Sequence, residues 1–176
     1  MKKNPIYLWV LLVLSALISS MSLFGILSPL PSKDALRASL ANSGTLTAQQ
    51  LEDTVNYTYK VSESSHSIFN MSLIVLSAIL VVVAFVFLVR KNVQFANYTY
   101  VGYVLLAIVG LVYSYMNVQD AVQLIKDSAL GLGMGALAKG TNILFIINVL
   151  FLALVFYKMW RQQKDLAEEV EAEEVA

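Results

Sequence analysis

The chain has no cysteine among its 176 residues and a single histidine, His66. Without thiols it can form no disulfide, thiolate metal site, redox dithiol or palmitoylated anchor. A lone imidazole beside Glu63 cannot build a zinc site, so neither metal nor cofactor is expected. Charge is scarce as well, at 14% of residues. None of it falls within residues 6–27, 68–89 or 98–118, and within 143–160 only Lys158 is charged, close enough to the end to snorkel. Ionisable groups at membrane depth mark ion paths, proton relays and intramembrane chemistry, because burying them is costly unless function requires it. That signature is missing here. So are a serine nucleophile elbow, an HExxH helix and paired carboxylates within a run, and the sequence does not read as an enzyme.

Two glycine patterns fail on inspection. Gly133 precedes Lys139 at phosphate-loop distance, but Ala138 and Gly140 flank the lysine where glycine and a hydroxyl residue are needed. Gly133 to Ala138 fits a loose dinucleotide fingerprint with no strand before it. The cluster Gly131-Leu132-Gly133-Met134-Gly135 is expected to form a flexible or partly re-entrant apolar loop instead.

What the chain does have is apolar length. Hydrophobic residues make up 58% of it, concentrated in the four runs named above. Each run spans roughly 27 to 33 Å as helix, at about 1.5 Å per residue, which matches a hydrocarbon core of about 30 Å. Continuous runs without alternation read as helices rather than barrel strands. The expected fold is an all-α integral membrane protein: a four-transmembrane-helix bundle with both termini inside and a short-helix extracellular cap from the first loop. Residues 1–161 would form the transmembrane domain and 162–176 an acidic cytoplasmic tail.

The orientation rests on Lys2, Lys3, Arg90, Lys91, Lys158, Arg161 and Lys164, which cluster on one side of the four runs. This leaves outer loops at 28–67 and 119–142. The first run is too long for a signal-peptide core and lacks a small-x-small cleavage site, so a retained helix is expected. The absence of disulfides from outward loops favours a bacterial plasma membrane. The sequons at Asn56, Asn70 and Asn97 are chance matches, two of them at or inside spans.

Pro29 and Pro31 end the first span. Ser32 is placed to cap a short helix over 33–41, stopped by Asn42, Ser43 and Gly44. Thr47 with Gln50 forms a capping-box pattern for a second helix reaching about Glu63. Leu51, Val55 and Tyr59 form one apolar stripe on it, expected to lie on the mouth of the bundle or to serve as a docking face for another protein. The eight residues 90–97 force spans two and three to be antiparallel neighbours. Helical spacing continues past span three through Ala121, Val122, Ile125 and Ala129. Tyr98, Tyr100 and Tyr103, and Tyr113 and Tyr115 at the other end, are expected as interfacial belts, as are Tyr7, Trp9, Tyr157 and Trp160. The tail carries Arg161 and Lys164 against Asp165, Glu168, Glu169, Glu171, Glu173 and Glu174. It should continue the last span for a turn or two and then fray, or offer Glu168 and Glu169 to a basic partner.

Helix-packing chemistry remains. Ser15, Ser19 and Ser22 share one stripe of span one, and Ala107, Gly110 and Ser114 one stripe of span three. Small residues let helices approach within lipid, and these stripes should face protein. Asn148 is the one strongly polar residue well inside span four, expected to bond a neighbouring helix. The reading that follows is an accessory or scaffolding subunit in a bacterial transporter or envelope-assembly complex. Its partners would be the lipid bilayer and other integral membrane proteins or itself, with no role for nucleic acid. Two rivals stand beside it. One is a small homo-oligomeric transporter or channel for a neutral solute, lined by Ser15, Ser19, Ser22 and Asn148; the other is a membrane-embedded immunity or stress protein acting through the first loop.

Overall fold

The computed structural model describes residues 5–42, 46–138 and 140–174. Lys2, Lys3, Ser43, Gly44 and Lys139, on which parts of the sequence reading rest, lie outside the described residues. Among the described residues there are seven helices and no strand: α1 (Ile6–Leu27), α2 (Lys33–Ala41), α3 (Ala48–Ser65), α4 (Ile68–Val89), α5 (Val93–Val122), α6 (Ser128–Ala138) and α7 (Thr141–Glu174). Four of these, α1, α4, α5 and α7, are long and apolar enough to cross a membrane.

Local chemistry sets the boundaries. α1 ends as Ser28 turns extended before Pro29. The Ser32 hydroxyl accepts the Ala35 amide at 3.2 Å to start α2, and Thr47 and Gln50 close a reciprocal capping box on α3. α4 stops in a Schellman turn. Lys91 takes a left-handed φ of 59°, Asn92 N–H donates to the Phe87 carbonyl at 2.9 Å and Lys91 N–H to that of Leu88 at 3.0 Å. Asn92 then caps the next helix, its Oδ1 accepting the Phe95 amide at 3.3 Å. This cap starts α5 at Val93, earlier than the expected 98.

Three expectations are corrected. α5 does not run on through Ala129 but ends at Val122, because the Asp53 carboxylate takes the amides of Lys126 and Asp127, each at 2.9 Å, and draws the chain out of the helix. The glycine cluster is not a loop. It lies inside α6, which starts where Asp127 Oδ1 accepts the Leu130 amide at 2.8 Å. Nor does the chain fray soon after the last span, since α7 is one helix of 34 residues reaching Glu174. Its Ala, Gln, Lys and Glu residues have high helix propensity, which outweighs the unfavourable acids at its carboxyl end.

α1 packs on α4, α4 on α5 and α5 on α7, while α2 and α3 pair and α3 and α6 rest on α5. The core lies at the end of the bundle nearest the termini, where Leu8, Leu12, Ala84, Ala96, Tyr100, Val104 and Val155 are fully buried. Outward, Leu17, Leu76, Ile79, Val109, Ile146 and Leu150 stay exposed along the spans. A helix surface of that composition suits lipid.

Candidate functional site

In the half of the bundle nearer the α2–α3 cap, α1, α4, α5 and α7 do not close on one another and leave a cavity of about 250 Å³. Side-chain size explains it. Ser15, Ser19 and Ser22 line it from α1, and Ala107 and Gly110 from α5. A Cβ built on Gly110 would meet nothing within 4 Å. The expectation that Gly110 brings two backbones together is therefore corrected: at this level the small residues leave space. Ser114 is exposed and is not among the lining residues. Asn148 lines the α7 wall, but its amide donates to the Leu144 carbonyl of its own helix at 2.8 Å rather than to a neighbour.

The polar groups of the wall fall into two sets. Some are occupied: the Ser15 and Tyr100 hydroxyls lie 3.3 Å apart, Ser22 donates to the Ile18 carbonyl at 3.0 Å, and the Asn70 amide donates to that of Ser65 at 2.8 Å. Others face the cavity without a protein partner. Ser19 and Tyr103 are only 9% and 5% exposed, and neither hydroxyl makes a protein hydrogen bond. Around them stand Ile18, Leu73, Ile74, Leu106, Leu144 and Phe151, and among the described residues none that lines the cavity is charged.

The cavity is blind toward the termini. Its deepest lining residues on the four helices are Ser15, Ser77, Tyr103 and Phe151. One turn further stand Leu12, Val81, Tyr100 and Val155, all buried. Beyond them the Tyr7 hydroxyl donates to Asn97 Oδ1 at 2.9 Å, and Asn97 Nδ2 donates to Gln162 Oε1 at 3.3 Å, joining α1, α5 and α7. At that end Lys158 Nζ also sits 5.8 Å from the centre of the Tyr7 ring. α7 packs chiefly on α5 and only sparsely on α1. Ile18 and Ile147, on the two edges of the resulting gap, are exposed, so the cavity opens sideways through the surface of the spans.

The cap holds itself together. Arg37 meets Glu52 at 2.7 Å, linking α2 to α3, and this contact holds the Glu52 carboxyl below its ordinary range. The Lys33 ammonium lies 5.2 Å from the centre of the Tyr59 ring. Of the proposed docking stripe, Val55 is fully buried among the chain's own helices and Leu51 and Tyr59 are half-buried, so Val55 is not free to meet a partner. Glu168 and Glu169 belong to α7, but their side chains lie outside the described residues.

The belt reading of the tyrosines is also revised. Tyr98 is exposed, whereas Tyr100 is fully buried and Tyr103 nearly so, their ring centres 5.6 Å apart. Sequence reasoning missed Tyr103 as a cavity hydroxyl and Asn97 as a buried crosslink. The available signal was spacing: Asn97, Tyr100 and Val104 recur on one α5 face. Asp53 was missed for another reason, since nothing local distinguishes it from an exposed acid. Among the described residues no group of three His, Asp or Glu could hold a metal.

No curated protein and no solved structure matches the chain. One family model, described as "Domain of unknown function (DUF8777)", matches residues 1–168, nearly the whole sequence, and the chain belongs to that family.

Proposed function

We propose that this chain is a non-catalytic accessory or scaffolding subunit of a bacterial plasma membrane, both termini cytoplasmic, which works by binding other membrane proteins in a transporter or envelope-assembly complex. The blind, charge-free cavity is the observation that carries this reading. A conducting path needs continuity, and here Leu12, Val81, Tyr100 and Val155 are packed beneath the floor. Intramembrane chemistry is usually marked by a charged side chain at depth, and among the described residues the wall offers only hydroxyls and amides. A recess that leads nowhere suits binding. α7 supports the same reading, since it rests chiefly on α5 and offers its remaining face, including Ile146, Leu150 and Phe156, to lipid or to a neighbouring helix.

The test pairs two measurements on the full chain. Quantitative purification from native membranes in mild detergent should recover a stoichiometric membrane-protein partner, and proteoliposomes of the chain alone should be silent to neutral solutes. Solute flux that Ser19→Val or Asn148→Leu abolishes would overturn the reading and favour a homo-oligomeric transporter. Single cysteines placed in the thiol-free background report the orientation directly.

A further inference from the structure

We propose that the cavity is a binding site for a neutral amphiphile, an apolar chain or ring bearing an uncharged hydroxyl or carbonyl, which enters sideways from lipid between α1 and α7. The proposal does not depend on which protein complex, if any, the chain serves.

Three observations converge on it. The first is the pair of hydroxyls on the nearly buried Ser19 and Tyr103, which line the space without a protein partner and stay open to it. Each is therefore free to offer a hydrogen bond to a polar group that enters the cavity. Asn148 adds an acceptor, because its amide nitrogen is engaged by Leu144 while its oxygen has no protein partner. Together these groups can donate to a carbonyl and can both donate to and accept from a hydroxyl.

The second observation is the wall between them. It is mainly aliphatic and aromatic with a few polar atoms, which is the composition of a ligand pocket rather than of a water-filled pore. Among the described residues it carries no cation to meet a carboxylate or phosphate and no anion to meet an amine. A charged head would be desolvated there without compensation. The ligand's polar group is therefore uncharged.

The third is access and size. The floor is packed, and the open side runs between the exposed Ile18 and Ile147, an apolar edge that faces lipid when the spans are inserted. The space of about 250 Å³ lies below the roughly 300 Å³ at which pockets for drug-sized ligands begin. It holds one chain end or one ring, not a whole phospholipid.

The experiment uses the full chain in phosphatidylcholine nanodiscs and three photoactivatable diazirine probes: a sixteen-carbon alcohol, the matching carboxylate and a phosphatidylcholine with the same acyl chain. The alcohol should label the α1 and α7 peptides that contain Ser19 and Asn148, and the other two should not label them above background. Tyr103→Phe and Ser19→Val should each cut that labelling by about three- to tenfold, the effect of losing one hydrogen bond. Tyr103→Phe keeps the ring that packs on Tyr100. If either variant misfolds, competition by unlabelled dodecanol on the unaltered protein reads the same site, and failure to compete counts against it. Equal labelling by phosphatidylcholine would identify an ordinary lipid furrow, and equal labelling by the carboxylate would remove the charge argument. Labelling indifferent to both substitutions would leave the cavity to water. Each of these three results overturns the proposal.

Discussion

His66 Nε2 lies 2.8 Å from the backbone carbonyl oxygen of Ser28, the residue that ends α1. Its other ring nitrogen, Nδ1, lies 2.8 Å from the carbonyl of Ser62 in α3. The imidazole thus ties α1 to the junction of the cap with α4. A neutral ring has one N–H and can donate to only one of the two carbonyls, whereas the imidazolium donates to both.

The first prediction follows from that geometry. The Ser62 carbonyl, and then that of Ser28, raise the His66 pKa above its ordinary value. A folded pKa above the unfolded one contributes stability that is fully present below about pH 6.5 and is lost as pH rises through the folded value. The nearby charges do not reverse the sign, because Glu63 is paired with Lys60 at 3.0 Å. Hydrogen exchange in the last turns of α3 should therefore speed up between about pH 6 and about pH 8 beyond the intrinsic base dependence. The effect is small, because the ring is partly solvated. His66→Gln should remove it. A wild-type profile identical to that of the variant would show that the tether carries no pH dependence.

Asp53 predicts a larger effect. It is nearly buried, and one of its oxygens accepts two consecutive amides, Lys126 and Asp127, from the turn between α5 and α6. Asp53→Ala leaves both donors without their partner and should destabilise the cap end by about 1 to 3 kcal/mol. Asp53→Asn keeps an acceptor oxygen and should cost less. Chemical unfolding in micelles, with exchange rates at residues 126 and 127, checks the order. Equal losses for the two variants would show that charge, not the shared acceptor, holds the turn.

The reach of sequence reasoning can be read from these same residues. The four long apolar helices were legible because apolar length is a local property, and α1 and α4 start and stop where composition says they should. The caps were legible too: Ser32 and the Thr47–Gln50 box are short-range patterns. Contacts made at long sequence separation escaped. Nothing around Asp53 announces that residues 126 and 127 will need its oxygen, and the glycines of α6 read as a loop because the capping role of Asp127 outweighs their propensity only in the folded chain. The cavity was half legible. Ser15, Ser19, Ser22, Ala107 and Gly110 were singled out as small, and all line it. Whether small residues bring helices together or leave a gap depends on the facing side chains, which no single stripe specifies.

At the other end of the bundle Asn97 is completely buried between the Tyr7 hydroxyl and the Gln162 amide oxygen. Asn97→Ala should cost about 0.6 to 2 kcal/mol for the interhelical hydrogen bonds within lipid, and more if the cavity it leaves does not collapse. Tyr7→Phe and Gln162→Leu each remove one bond and should cost less singly. Reversible unfolding in mixed micelles of the single and double variants gives the coupling. Strictly additive losses would mean that the three side chains do not act as one crosslink.

Gly110 separates the two accounts of the small-residue stripes most sharply. If it formed a close helix contact, as its spacing with Ala107 suggests, a leucine there would drive α5 away from its neighbours, lower Tm and alter the elution profile. The structure offers open space instead. Gly110→Ala should therefore fold at least as well as the parent, with a gain of up to about 1 kcal/mol from removing a flexible helical glycine. Gly110→Leu should keep the parent's elution and Tm, because its side chain enters the cavity beside Ser19 and Tyr103. Filling that space should in turn exclude the sixteen-carbon alcohol probe. A leucine variant that is unstable or aggregated while the alanine variant is sound would restore the close-packing account and show that the space beside Gly110 is closed.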